Sequence, residues 1–200
     1  MDNKALKPDA DHFTYGDYAK WPENERWELA NGAAYAMSPA PGWSHQQLVL
    51  EIVILFKDWL KGKPCRAFVS PVDVFIPAPG QKLDDINSVD TVLQPDAGIV
   101  CDPSKITPRG IWGAPDLVLE VLSPSTVLRD MNQKRPFYEK AGVREYWLFD
   151  SHAEYAIIFQ LMENGTFDQG ITYKEDDLVP STIFPGLSVS LQELRQLVNS

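Results

Sequence analysis

Glu120 stands inside an otherwise apolar run, Leu117–Leu122 (LVLEVL). A carboxylate there is costly to bury unless a cation pairs with it or a metal takes it as a ligand. A structural ion pair with lysine or arginine is one reading; a metal site is the better one if other carboxylates converge. Asp96, in Gln94-Pro95-Asp96, opens a second apolar run 24 residues earlier. Neighbouring strands would bring the two acids to one end of a sheet. Carboxylates so placed suit a hard divalent cation such as Mg²⁺, which prefers oxygen ligands and keeps several waters. Such an ion activates water and offsets charge on a phosphoryl group. Glu28, just before Asn31-Gly32, is a third acid. His45 lies at the start of a long helix, where a histidine can contact phosphate, although a lone histidine is more often structural. There is no GxSxG, P-loop or GxGxxG, so neither a serine triad nor a nucleotide cofactor is indicated.

Period and punctuation give the elements that must position these residues. Thr14 caps a short first helix ending near Trp21-Pro22. Trp27–Ala30 and Ala33–Met37 flank Asn31-Gly32, a two-residue hairpin signal. Ser44, with Gln47 completing a capping box, opens a helix whose Leu48, Ile52, Leu55, Phe56, Trp59 and Leu60 fall on one stripe, and Gly62 ends it. Strands are expected at Ala67–Val69, Val72–Ile76, Ala97–Val100 and Leu117–Leu122, the last with the pattern of a central strand buried on both faces. Pro77–Asp90 is expected to be a flexible loop. A helical stretch after Ser123-Pro124-Ser125-Thr126 runs to Ala141 and Gly142. Pro136 within it implies a helix start near Asp130 or Asn132. Strands at Glu145–Asp150 and Tyr155–Leu161, short strands around Ile171–Tyr173 and Val179, and a C-terminal helix capped by Ser190 and Glu193 complete a mixed α/β sheet with helices packed on it.

The 200 residues are expected to form a single domain, with a flexible N-terminus over 1–13, a core over 14–187 and the C-terminal helix at 190–198. A composition of 44% hydrophobic and 23% charged residues excludes a disordered chain. The formal net charge of −10 argues against a polyanion binder that uses its whole surface. Residues 57–66 and 105–144 nevertheless each carry a local balance of +3, which suggests a local positive surface. Cys65 and Cys101, outside any CxxC pattern, read as reduced, mostly buried thiols. The N-terminus has no apolar signal region. The longest apolar run, Leu48–Leu60, is too short and too charged to span a membrane. A cytoplasmic protein without a membrane partner is expected.

On these residues the chain resembles the Uma2 family of endonucleases, within the PD-(D/E)XK superfamily, from about Tyr15 to about Pro185. The resemblance is carried by Arg26-Trp27-Glu28-Leu29 before Asn31-Gly32, by Gln94-Pro95-Asp96, by the stretch from Ala114-Pro115-Asp116 through Glu120 to Thr126, by Arg129-Asp130 with Lys134, and by Tyr138 to Asp150. It implies an α+β, restriction-endonuclease-like core, a mixed β-sheet flanked by helices with acids at the strand ends. It also implies metal-dependent hydrolysis of phosphodiester bonds in nucleic acid, DNA foremost, with Mg²⁺ or Mn²⁺. Carried over residue by residue, Asp96 is the motif aspartate, Glu120 the motif (D/E) and Glu28 the earlier acid. The metal ligands would be Asp96, Glu120 and the backbone carbonyl of Val121. Asp116, four residues before Glu120, would be displaced from the metal-binding end. The superfamily lysine two residues after the second acid is Leu122 here. Lys134, on the following helix, would supply it instead, to orient or activate water or to stabilise charge on the phosphate. His45 and Arg129 would contact substrate.

Two other readings stand beside this one. The net charge and Leu122 motivate a catalytically weak or inactive nuclease-fold module acting through protein–protein contacts. A hydrolase of small phosphoesters would need less positive surface than one acting on DNA. Six Trp and seven Tyr leave room for a homodimer.

Overall fold

A computed structural model describes residues 12–22, 25–37, 41–123 and 127–198. The helices are α1 (Tyr15–Tyr18), α2 (Trp43–Trp59), α3 (Val127–Arg129), α4 (Arg135–Ala141) and α5 (Leu191–Val198), with a π-helical turn over Asp130–Lys134 joining α3 to α4. The strands are β1 (Trp27–Ala30), β2 (Ala33–Ala36), β3 (Arg66–Val69), β4 (Val74–Phe75), β5 (Val92–Leu93), β6 (Ala97–Val100), β7 (Ile106–Thr107), β8 (Gly110–Trp112), β9 (Leu117–Leu122), β10 (Glu145–Asp150), β11 (Tyr155–Gln160), β12 (Ile171–Lys174), β13 (Leu178–Pro180) and β14 (Ser188–Ser190). One mixed sheet runs β12-β11-β10-β9-β6-β3, a second runs β2-β1-β5-β4-β8-β7, and β13 pairs with β14.

β9 is buried at all six positions, and it pairs in parallel with β10 and antiparallel with β6. Side chains alternate along a strand. Leu117, Leu119 and Val121 therefore join Leu48, Ile52 and Phe56 of α2 in the larger core, while Val118 and Leu122 join Tyr138 of α4 and Tyr146 of β10 on the other face. Glu120 shares the parity of Val118 and Leu122, so it emerges beneath the helical segment 127–141. The chain crosses from β5 in the second sheet to β6 in the first through Gln94-Pro95-Asp96. This tripeptide stands where the sheets meet.

The Asn31-Gly32 hairpin forms as expected, with φ of 49° and 77° at the two turn residues. Four local expectations are corrected. The α2 capping box does not form: Gly42 is the N-cap and Gln47 donates instead to Glu51 at 2.6 Å, because the helix has already begun at Trp43. The segment 77–90 is not a plain loop. It carries a 3₁₀ turn over Leu83–Ser88, anchored by buried Ile86 and Val89 against Phe13 and Phe75. The helix before Gly142 starts earlier than expected, because the π turn changes the hydrogen-bond ladder just upstream and Pro136 then falls in the first turn of α4, where no donor is missed. The cysteines are not free thiols: Cys65 and Cys101 form a disulfide. Arg66 pairs with Val100 across β3 and β6, so the next residues outward meet at the strand ends, with Cα atoms 3.9 Å apart. The cysteine argument for an intracellular location falls with that correction. Among the described residues no helix is long and apolar enough to cross a membrane. Most of the expected flexible N-terminus, and Pro124–Thr126, lie outside the described residues.

Candidate active site

Glu28, His45, Asp96, Glu120, Val121, Arg129 and Lys134 all line one cavity of about 560 Å³. The π turn explains how Lys134 reaches it. Its wider winding places Asp130 and Lys134 both inward, 3.4 Å apart, where a regular helix ahead of a proline would leave the lysine's direction open. Lys134 Nζ then donates to Glu120 Oε1 at 2.8 Å and lies 3.3 Å from Glu28 Oε1. Tyr138, one helical turn further, donates its hydroxyl to the same Glu120 oxygen at 3.1 Å. Glu28 also pairs with Arg129 at 2.5 Å, and its cross-strand neighbour Tyr35 lies under that guanidinium, 5.0 Å from ring centroid to Cζ.

Asp96 completes the cluster from the other side. The β6–β9 ladder pairs Ala97 with Leu119, so Asp96 stands opposite Glu120 just past the last paired residues. Its Oδ2 accepts the Val121 N–H at 2.8 Å in place of a backbone carbonyl, and lies 3.2 Å from His45 Nε2. Val121 lines the cavity beside both acids. Asp116, the alternative Pro-Asp acid, sits at the opposite end of β9, where it accepts the Cys101 N–H and pairs with Arg144. Glu145, another buried acid, is engaged by Ser181, Thr182 and Trp147 and belongs to the packing of the 181–184 turn.

Burial holds the Glu120 carboxyl well above its usual range, and Asp130, Asp96 and Glu28 add to this against the pull of Lys134. Burial opposes the charge on Lys134, but Glu120, Glu28 and Asp130 outweigh it and hold the ammonium well above the usual lysine range. Lys134 is therefore a fixed cation. Burial, with Glu120 next, also pushes the Tyr138 and Tyr146 phenols well above their ordinary value of 10.0. Folded-state pKa values raised above the unfolded ones give stability that is complete below the unfolded values and lost as pH rises through the folded ones. Glu120 acts first, so urea midpoints should decline as pH rises above about 4.5. Lys134, Tyr138 and Tyr146 should add a second, steep fall above about pH 10, with tyrosine absorbance rising in step with unfolding rather than before it.

Sequence reasoning missed three members of this network. Tyr138 and Asp130 stand four residues either side of Lys134, a spacing that could have been read as one helical face. Gln94 is the third. Its backbone N–H donates to Glu28 Oε1 at 2.7 Å and its side-chain oxygen accepts from Arg26 at 2.7 Å. The expected local positive surface is also smaller than the sequence suggests, because Arg129 and Lys134 are spent on buried acids.

Four carboxylates, those of Glu28, Asp96, Glu120 and Asp130, face two cations, half-buried Arg129 and buried Lys134, around the cavity. Among the described residues no three His, Cys, Asp or Glu side chains stand as a preformed metal-ligand set. Mg²⁺ uses one or two carboxylates and keeps waters, so Asp96 and Glu120 fit it by donor type and by excess negative charge.

Carboxylates at the end of a mixed sheet, with helices on its faces and a lysine buried among them, define a restriction-endonuclease-like domain. The crystal structure of "a putative nuclease belonging to DUF820" from Anabaena variabilis superimposes with a TM-score of 0.73, at 20% identity, over 93% of this chain and 99% of that one. An uncharacterized protein of Synechocystis sp. is 28% identical over 138 residues, 68% of this chain and 67% of its own. The model of the Uma2 family, described as "Putative restriction endonuclease", matches residues 15–192. The chain belongs to the Uma2 family.

Proposed function

We propose that the protein is a metal-dependent endonuclease that hydrolyses phosphodiester bonds of nucleic acid, DNA foremost, with Mg²⁺ or Mn²⁺ held by Asp96, Glu120 and the Val121 carbonyl. The observation that carries this reading is the buried Lys134–Glu120–Glu28 cluster facing Asp96 in one cavity. The divalent ion would supply Lewis-acid charge and an activated water. Lys134 is already protonated, so its part is electrostatic: a fixed positive charge beside the position of the scissile phosphate. Tyr138 and Lys134 together fix the Glu120 carboxyl, and the Val121 N–H fixes Asp96. Arg129, braced by Glu28 and Tyr35, is the substrate contact nearest the acids. His45 holds Asp96 from α2. The protein is expected to act in the cytoplasm.

The acidity of the chain sets how substrate should bind. Binding to long DNA, followed by fluorescence anisotropy, is expected to be weak without metal, to strengthen with Mn²⁺, and to weaken as salt is added. Cleavage of plasmid and single-stranded DNA should appear only with the divalent ion. Tight metal-free binding, or no cleavage with Mg²⁺ or Mn²⁺, would overturn the reading.

A further inference from the structure

A second cavity, of about 640 Å³, adjoins the first, and the two share Pro71 and Gln94 in their linings. Its size is that of a small-ligand site. It lies between the sheets, where Phe68, Val72, Val100 and Ile111 give it apolar walls. Arg66 and Arg109, both exposed, are part of its lining. Half-buried Asp73 and buried Gln94 bring polar atoms to its lining, with Gln94 Nε2 donating to Asp73 Oδ1 at 2.8 Å. The same Gln94 side chain accepts from Arg26 in the first cavity, where its backbone N–H donates to Glu28, so one residue couples the two. Burial raises the Asp73 carboxyl above its ordinary value, and Glu28 adds to this. A hydrogen-bond donor on a ligand would therefore find an under-solvated acceptor.

This chemistry narrows the occupant. A carboxylate in the lining disfavours an anion inside, apolar walls favour a flat neutral group, and exposed arginines suit phosphates outside. A nucleobase on a phosphodiester strand meets all three conditions. Guanine presents two adjacent donors, N1–H and N2–H, that one carboxylate can accept together, whereas thymine presents its N3–H between two carbonyl oxygens that a carboxylate repels. We infer that the second cavity is a base-binding subsite that takes an unpaired base, guanine before thymine, from the strand whose phosphodiester lies at Asp96 and Glu120. A base must leave the stack to enter, so single-stranded nucleic acid or an extruded base is the form taken. The identity of the strand rests on the nuclease reading; base occupancy does not.

The test titrates the methyl-labelled full chain, without metal, with deoxyguanosine, thymidine and indole. Methyl resonances of Val72, Val100 and Ile111 should shift and saturate with deoxyguanosine, with thymidine about tenfold weaker, and Asp73→Asn should remove the difference. Should the variant fail to fold, the wild-type comparison decides alone. Unmoved methyls, shifts confined to Val49 and Val121 in the first cavity, or equal saturation by thymidine or indole overturn the subsite. Deoxyguanosine binding without cleavage by the metal-supplied protein would remove the nuclease reading and leave the subsite standing. Cleavage without binding would do the reverse.

Discussion

On the proposed nuclease function, Glu120→Gln is expected to lower DNA cleavage about a thousandfold, the loss of ~4 kcal/mol of transition-state stabilisation, with the fold intact. The amide keeps an oxygen in place of Oε1, so Lys134 and Tyr138 retain their acceptor. What disappears is the charge. The sign of the stability effect follows from the raised pKa: burial already disfavours the ionised form, so a permanently neutral side chain removes an unfavourable term. The variant should therefore be slightly more stable, by less than about 1 kcal/mol in free energy at the urea midpoint. Initial rates on plasmid and single-stranded DNA with Mn²⁺, set beside urea melts of the same samples, make the check. A variant as active as wild type would mean that Glu120 is a structural acid and that the metal, if bound, sits elsewhere. Asp96→Ala should lose activity comparably.

Lys134→Met is expected to do the opposite to the fold. It leaves Glu28, Glu120 and Asp130 without the ammonium that all three face. Removing one partner from a buried ion cluster destabilises by about 3–5 kcal/mol. For a domain of this size that lowers the melting temperature by roughly 10 °C. Cleavage should fall as well, since the fixed cation beside the phosphate is gone. Lys134→Arg separates the two effects. It restores charge, so the melting temperature should recover in part, while a planar guanidinium in a cavity shaped for an ammonium should restore little activity. Thermal melts and initial rates on the two variants decide this. A Lys134→Met protein that melts like wild type would show that the acids are already neutralised by other means.

Much of the site was legible in the sequence because polar residues in apolar surroundings are conspicuous. Glu120 stands out within LVLEVL, Asn31-Gly32 specifies the hairpin that carries Glu28, and Asp96, not Asp116, lies at the strand end that meets Glu120. Lys134 could be nominated but not aimed. Its direction depends on a π turn, and Asp130-Met131-Asn132-Gln133-Lys134 reads as an ordinary helix start beside a proline. The capping box at Ser44 and Gln47 failed because its pattern tolerates a shift of two residues, and only packing of the apolar stripe on β9 set where α2 begins.

The longer elements and the parity of β9, and hence the face on which Glu120 lies, follow from the sequence because period-two alternation and hydrophobic burial are local rules; the short strands β5, β7 and β8 and the exact helix starts do not. The tertiary structure alone decided the rest: that Gln94-Pro95-Asp96 bridges two sheets, that Cys65 meets Cys101, and that three acids converge on one lysine. Each of these depends on strand order and register between segments far apart in the chain, and these distances leave no periodic trace in the order of residues.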